Sequence, residues 1–492
     1  MNQNEEMNQP EAFKRTLTWF DGTMLVSGSM IGSGIFIVSA DMGRTVGSAG
    51  WLIAVWLLTG VMTIFGALSY GELAGMMPKA GGQFVYIRRA FGDLTAFLYG
   101  WSVFAVITTG VIAAVAVAFA KYTAYFFPIF SPENILFIIG SLKVNASQML
   151  AIFVLILLTF INSRGVQNGK LIQLIFTSAK LIALFALIFL GLFFASKSYL
   201  AENFSNAWSG SLTLKNADGS WHTEGLSGVG MLLAFGTAFI GSLFSSDSWN
   251  NVTFIAGEIK DPRRSIPMSL AFGTIIVTLL YVLANLAYLN LLPLQGSPTA
   301  TDVIGRGIMF AENERVGTAA ASQIFGASSA ALMAALIMIS TFGCVSGTSL
   351  SGARVYYAMA QAGLFFKKAA VLNDAKVPGN ALWMQCVWAS LLCLSGTYGD
   401  LLDYCTFVSL IFYAVTIAAV FVLRRREPNA ERPYKVPFYP LTPAIYIVLA
   451  VGICLILLVT KTQNTGLGLL IVAAGIPFYL WQKKTNDVVE SV

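Results

Sequence analysis

Apolar residues run along this chain in long stretches separated by short polar segments, and period-2 alternation is missing throughout. A helix needs roughly 20 mainly apolar residues to cross a ~30 Å hydrocarbon core. Twelve segments reach or approach that length: Met24–Ser39, Trp51–Ser69, Phe97–Phe119, Met149–Ile161, Leu171–Phe194, Val229–Ala256, Met268–Leu292, Ala327–Ala360, Leu382–Gly396, Thr406–Leu423, Ala444–Val459 and Gly466–Leu480. The shorter ones extend into mildly polar flanks. Without alternation a β-barrel is disfavoured, so the pattern predicts an all-α integral membrane protein with twelve transmembrane helices.

Composition agrees with the pattern. Apolar residues make up 56% of the chain and charged residues 11%, against about 25% charged in a soluble domain. The mean hydropathy is +0.72. A soluble enzyme, a disordered chain and a disulfide-rich secreted module are excluded. The N-terminal segment is polar, carries Glu5, Glu6 and Glu11, and lacks a signal-peptide profile, so the first apolar segment is expected to remain in the mature chain. Cys344, Cys386, Cys393, Cys405 and Cys454 all lie in apolar stretches and read as buried thiols.

Charge placement orients the spans. With the N-terminus inside, twenty Lys and Arg fall in inner segments: Lys14, Arg15, Lys79, Arg88, Arg89, Arg164, Lys170, Lys260, Arg263, Arg264, Lys367, Lys368, Lys376, Arg424, Arg425, Arg426, Arg432, Lys435, Lys483 and Lys484. Seven fall outside: Lys121, Lys143, Lys197, Lys215, Arg306, Arg315 and Lys461. Arg44, Lys180 and Arg354 are counted with the spans. This bias predicts cytoplasmic termini and a cell (plasma or inner) membrane location. It also accounts for the net charge of +6 without a nucleic-acid partner. No cofactor is expected. His222, the one histidine, lies in an outer loop and cannot build a metal site alone.

Two spans are interrupted. The first contains GSMIGSGIF, with Gly28, Gly32 and Gly34 near its middle; each glycine weakens a helix by up to about 1 kcal/mol relative to Ala, although close helix packing also favours small residues. The sixth reads LLAFGTAFIGSLFSSDSWNNVTFIAGE, where Ser245, Ser246, Asp247 and Ser248 break the apolar run. Interruptions at positions one and six fit two inverted five-helix repeats with substrate bound where both helices unwind. Unwound backbone offers N–H groups at one end and carbonyls at the other, which complement the carboxylate and ammonium of an α-amino acid. The N–H groups around Ser33 and Gly34 are expected to hold the carboxylate, and the carbonyls of Ile31 and of Phe244–Ser245 the ammonium. Gly32 and Gly34 let the ligand reach the backbone.

Four charges are embedded in spans or at their ends. Lys180 lies too far from either end of its span to snorkel, which leaves a fixed structural cation, ranked first, or a titrating one. Asp247 has three open roles: neutralising Lys180, bonding within the unwound segment, or meeting a cationic substrate group. Glu72 and Arg354 sit near inner span ends, where pairing with inner charges is expected.

These residues resemble a known family. GSMIGSGIF, SYGELAGMMPKAGGQFVYIRRAFG and GEIKDPRRSIP are similar to the amino acid–polyamine–organocation superfamily. SWNNVTFIAGE, STFGCVSGTSLSGARVYYAMAQAGLFF and RPYKVPFYP resemble its L-type amino acid transporter branch, over about Trp19 to Pro443. The resemblance implies a LeuT-like five-plus-five inverted repeat with discontinuous helices one and six and two extra C-terminal helices. It divides the chain into a tail (1–17), helices 1–5 (18–200), an extracellular loop (201–227), helices 6–10 (228–426), helices 11–12 (427–482) and a second tail (483–492). It also implies sodium-independent exchange of neutral L-amino acids by alternating access.

By position, Gly32, Ser33 and Gly34 match the family's carboxylate-binding turn, and Phe244 the aromatic residue that closes over substrate from outside. Trp249 and Asn250 match the WN pair after the unwound part of helix six. Lys180 matches the lysine that occupies a sodium position in related transporters and links helices one and eight. Asp247 and Ser248 stand where many members have glycines, while some members that accept cationic amino acids carry an acid there, so side-chain selectivity stays open. Cys344 replaces a serine common in eukaryotic relatives, which shifts that contact toward Ser340 or Thr341. The loop around Lys121–Lys143 has no cysteine, so no disulfide-linked subunit is expected; the partners are small-molecule amino acids and the bilayer. The alternative within the same fold is a proton-coupled symporter using Lys180 or Asp247. A membrane-embedded enzyme lacks the HExxH, GxSxG or embedded histidine it would need, and a channel would need a continuous polar stripe.

Overall fold

The computed structural model describes residues 15, 17–78, 81–140, 142–165, 167–216, 218–395 and 398–490. Glu5, Glu6, Glu11, Lys14, Lys79 and Gly396 lie outside these, as do the side chains of Lys170, Lys483 and Lys484. Among the described residues, nine helices are long and apolar enough to cross a membrane. They are α3 (Ala49–Met76), α5 (Asp93–Phe126), α6 (Ala146–Ser163), α8 (Gly228–Ser245), α10 (Pro262–Leu291), α12 (Ala327–Gln361), α14 (Tyr398–Arg426), α15 (Leu441–Thr460) and α16 (Thr462–Glu490), the last apolar over Thr462–Gln482. Two shorter apolar stretches, Thr177–Phe193 in α7 (Gln167–Phe193) and Gly379–Leu394 in α13 (Gly379–Ser395), coincide with predicted spans five and nine.

The first predicted span is two helices, α1 (Trp19–Met30) and α2 (Ser39–Val46). It begins earlier than the apolar run suggests, because Thr18 and Asp21 form a reciprocal cap: Asp21 N–H donates to Thr18 Oγ1 at 3.3 Å and Thr18 N–H to Asp21 Oδ2 at 2.8 Å. It also runs past Ser39 to a left-handed Gly47 with φ 76°. Helix α4 (Gln83–Phe91) is amphipathic, burying Phe84, Tyr86 and Ile87 while exposing Arg88 and Arg89.

Two loops carry strands that the helical pattern did not predict. One hairpin pairs β1 (Ile135–Ile139) with β2 (Leu142–Asn145), the other β3 (Gly210–Lys215) with β4 (Trp221–Leu226). Both lie in connections, turn at left-handed glycines (Gly140 φ 62°, Gly219 φ 87°), and use β-branched or aromatic residues that favour pleated backbone. They mark one end of the bundle, called here the hairpin face; the opposite end is the terminal face.

The helices are held by buried polar links as well as by packing. Asn162 Nδ2 donates to the Ser346 carbonyl at 3.2 Å, and Ser346 Oγ donates to Asn162 Oδ1 at 3.0 Å, joining α6 to α12. At the terminal face the buried Glu72 carboxylate accepts from Arg424 at 2.8 and 2.6 Å and from the Val436 amide at 2.8 Å, with Arg432 at 3.4 Å. Glu72 thus pairs with charges at its end of the span. Large apolar side chains such as Phe153, Phe185, Val448 and Leu470 point away from the bundle, as a lipid-facing surface requires.

Candidate functional site

Helix α1 stops where the glycines begin. Ile31 leaves helical geometry (φ −75°, ψ 89°), and only a 3₁₀ turn, Gly34–Phe36, separates it from α2. Gly28, Gly32, Ser33 and Gly34 are all buried. Helix α8 ends at Ser245, and residues 246–250 form turns before the short helix α9 (Asn251–Phe254). Ser248 takes a left-handed φ of 68°. Both interruptions fall where the Gly and Ser/Asp clusters predicted them.

The two breaks touch. A Cβ built on Gly34 would lie 2.9 Å from Ser245 Cα and 2.2 Å from its Oγ, so only a glycine lets these backbones approach so closely. At Gly32 the same atom would meet only Cys344 Sγ at 3.5 Å and the Met30 carbonyl at 4.0 Å. The structure thus brings Ile31–Gly34 beside Phe244–Ser245.

Helix α10 ties the breaks together, a role the sequence reading missed. The Tyr281 hydroxyl lies 2.9 Å from both the Met30 and the Ser245 carbonyl, the last helical carbonyls of the two halves. One turn on, Asn285 Oδ1 accepts from Ser39 Oγ at 2.6 Å, and Tyr288 donates to the Ile35 carbonyl at 3.3 Å. The signal available was their spacing: residues 281, 285 and 288 share one helix face in an otherwise apolar span.

Lys180 Nζ donates to the Gly28 carbonyl in the last turns of α1. Among the described contacts its partner is that carbonyl and not Asp247, so of the three roles left open for Asp247, neutralising Lys180 is not the one observed. Ser340 Oγ reaches the Ile31 carbonyl at 3.4 Å. Thr341 instead donates to Ile337 and Met338 carbonyls of its own helix at 3.0 and 2.9 Å, and Cys344 faces Gly32. Of the two hydroxyls put forward beside Cys344, Ser340 is the one that meets helix one.

Asp247 accepts from the Tyr413 hydroxyl of α14, and that hydroxyl also lies 3.4 Å from Asn250 Oδ1. Asn250 Nδ2 donates to Gln83 Oε1 at 3.0 Å, and Gln83 Nε2 to the Phe412 carbonyl at 3.1 Å. Trp249 packs between Tyr70 of α3 (ring centroids 4.7 Å) and Tyr413 of α14 (5.3 Å), an aromatic anchor between those two helices. Tyr413 and Gln83 were also missed, being distant in sequence and unremarkable locally.

Two small cavities, of about 30 and 20 Å³, meet at Asp247 and Tyr413. A larger vestibule of about 770 Å³ opens toward the hairpin face and reaches down to Ile240, Gly241 and Tyr398. Between vestibule and cavities, Phe244 and Tyr398 pack edge to face with centroids 6.1 Å apart, and the Tyr398 hydroxyl is 3.2 Å from Ser33 Oγ. On the vestibule wall Glu314 accepts from Arg44 of α2 and Lys121 of α5, each at 2.8 Å. Burial raises the Glu314 carboxyl, but Lys121 and Arg44 outweigh it and hold it down at about 2.

The sequence profile of the amino acid permease family matches residues 17–478. The chain belongs to that family. The permease is 30% identical to the large neutral amino acids transporter small subunit 2 of Rattus norvegicus, over 98% of this chain and 84% of that protein. It is 30% identical to the serine/threonine exchanger SteT of Bacillus subtilis (strain 168), over 94% of this chain and 95% of that protein. The b(0,+)-type amino acid transporter 1 of Mus musculus is 26% identical over 93% and 86%. The permease is therefore a multi-pass membrane transport protein acting on amino acids, and not an enzyme.

Proposed function

We propose that this permease is a sodium-independent exchanger of neutral L-amino acids, open to cationic ones, which carries its substrate in the breaks of its first and sixth spans. The observation that carries the reading is the contact between the breaks, Gly34 against Ser245, beneath the Phe244–Tyr398 pair. Amides around Ser33 and Gly34 take the carboxylate, and the Ile31, Phe244 and Ser245 carbonyls take the ammonium. Ile31 and Ser245 each already accept from one side chain, and a carbonyl has two lone pairs, so one remains on each. Lys180 serves as the fixed cation that holds the end of α1 by Gly28.

In this reading the twelve spans form two inverted repeats, helices 1–5 over 18–200 and 6–10 over 228–426, followed by two further helices and with both termini cytoplasmic. The hairpin face is then extracellular, Phe244 closes the site from that side, and no disulfide-linked subunit is needed. Purified protein in liposomes tests it. Uptake of labelled amino acid is expected to require unlabelled amino acid inside and to ignore a pH gradient. Uptake into empty vesicles driven by external acid would instead establish proton symport.

A further inference from the structure

Between the third and fourth predicted spans, the β1–β2 hairpin exposes an apolar surface that lies outside both. Ile135, Leu136, Phe137 and Ile138 are 46, 51, 46 and 60% exposed, and Phe127 and Ile129 ahead of them 59 and 66%. Exposed apolar patches of this kind mark protein or membrane contacts. Two features decide between those. Phe137 and Ile138 are adjacent and in regular register, opposite Val144 and Lys143, so their side chains leave opposite faces of the hairpin. A protein docked on one face would cover one of them, whereas an apolar medium around the strand covers both. The patch is also continuous with a lipid-facing surface: α6 begins directly after β2 and exposes Met149, Phe153, Ile156 and Phe160, spaced three or four residues apart along one stripe.

The root of the hairpin is fixed. Gln148 N–H donates to Asn145 Oδ1 at 2.9 Å and Asn145 N–H to Gln148 Oε1 at 3.0 Å, capping α6. The Ala146 amide donates to the Asn134 carbonyl at 3.0 Å, and Asn134 Nδ2 to the Ile129 carbonyl at 2.9 Å. We propose that this hairpin is an interfacial anchor, seated at the headgroup–acyl boundary of the leaflet on the hairpin-face side, with phospholipid against both of its faces. Pairing between β1 and β2 satisfies their inner backbone groups. The outer edges of a two-stranded sheet stay unpaired, which sets its depth at the boundary and not in the hydrocarbon core. Lys143 lines the vestibule, and its long stem lets the ammonium reach that water while Ile138 opposite stays in lipid. Anchored there, the hairpin steadies the vestibule wall that Lys143, Asn145 and Gln148 help to form.

Fluorescence quenching in phosphatidylcholine vesicles tests this on the full chain. Cys454→Ala leaves four buried cysteines, and a nitrobenzoxadiazole label is attached at Phe137→Cys or Ile138→Cys. Asp218→Cys, in the exposed turn of the second hairpin, is the water control, and Phe153→Cys on α6 the lipid control. Lipid carrying a nitroxide near the top of its acyl chain should quench both hairpin labels to within about twofold of the Phe153→Cys label, and iodide on both sides of the vesicle should quench them at least about fivefold less than the Asp218→Cys label. Iodide quenching at the level of the water control would put the hairpin in water, and protection of either label from both quenchers would put protein on that face; each result overturns the anchor. The parent protein gives a reading without substitution. A phosphatidylcholine bearing a diazirine near the top of its acyl chain should crosslink to β1 as well as to α6, and crosslinks confined to α6 would overturn the anchor too.

Discussion

A methyl group at Gly34 would stand 2.9 Å from a backbone atom of Ser245, where nothing flexible can yield, so Gly34→Ala must push the breaks apart. Overpacking of this kind costs about 1–3 kcal/mol, and exchange is expected to fall about tenfold or more. Gly452→Ala, where the new atom meets nothing within 4 Å, is the control and should leave flux unchanged in the same assay. Lys180→Ala removes a charged donor from the Gly28 carbonyl, a bond of about 1.5–3 kcal/mol. Flux should fall by about tenfold or more while the protein stays monodisperse on gel filtration; near-normal flux would remove any central part for the charge. These residues were legible in the sequence because each violates the rule for its surroundings: glycines crowd a helix, a lysine and an aspartate sit in apolar spans. Thr341 satisfies its own helix, and no local pattern told it apart from Ser340.

At the level of elements, the interrupted spans were legible for the same reason, but what joins them was not. Tyr281 lies 251 positions from Met30 and 36 from Ser245, and only the fold brings the three together. Tyr398, Tyr413 and Gln83 are likewise ordinary residues made important by long-range contacts. Tyr281→Phe keeps the ring against Trp56 (5.4 Å) but loses the hydroxyl whose single proton faces two carbonyls, a bond contributing about 0.5–1.5 kcal/mol. Maximal exchange rate is expected to drop several-fold, with a smaller change in apparent KM, because the residue fixes both backbones and leaves the ligand to them. An unchanged rate would mean that the two halves do not depend on that link. The hairpins escaped the sequence reading because their strands sit in loops too short and mixed for a periodic signal.

Across the whole molecule, apolar composition was enough to read the membrane class, which the nine long apolar helices among the described residues bear out. The Arg44–Glu314–Lys121 cluster joins α2, α5 and the loop before α11 (Val316–Phe325) above the vestibule. With its carboxyl at about 2 and the ordinary value near 4.5, the cluster contributes fully above that ordinary value and is lost only as pH falls through about 2. Its contribution to thermal stability in detergent should therefore be flat between pH 5 and 8. A Glu314→Gln variant that differs from the parent by a pH-dependent amount in that window would contradict the assignment.

The central claim is that unwound backbone at two touching breaks binds the α-carboxylate and α-ammonium together. Competition by analogues lacking one of those groups tests it most directly, using an exchanged amino acid, its decarboxylated amine, its deaminated acid and its methyl ester. Only the intact zwitterion should inhibit labelled exchange, with each truncated analogue weaker by about tenfold or more, since a lost charged hydrogen bond is worth about 1.5–3 kcal/mol. Equal inhibition by the amine or by the acid alone would contradict it.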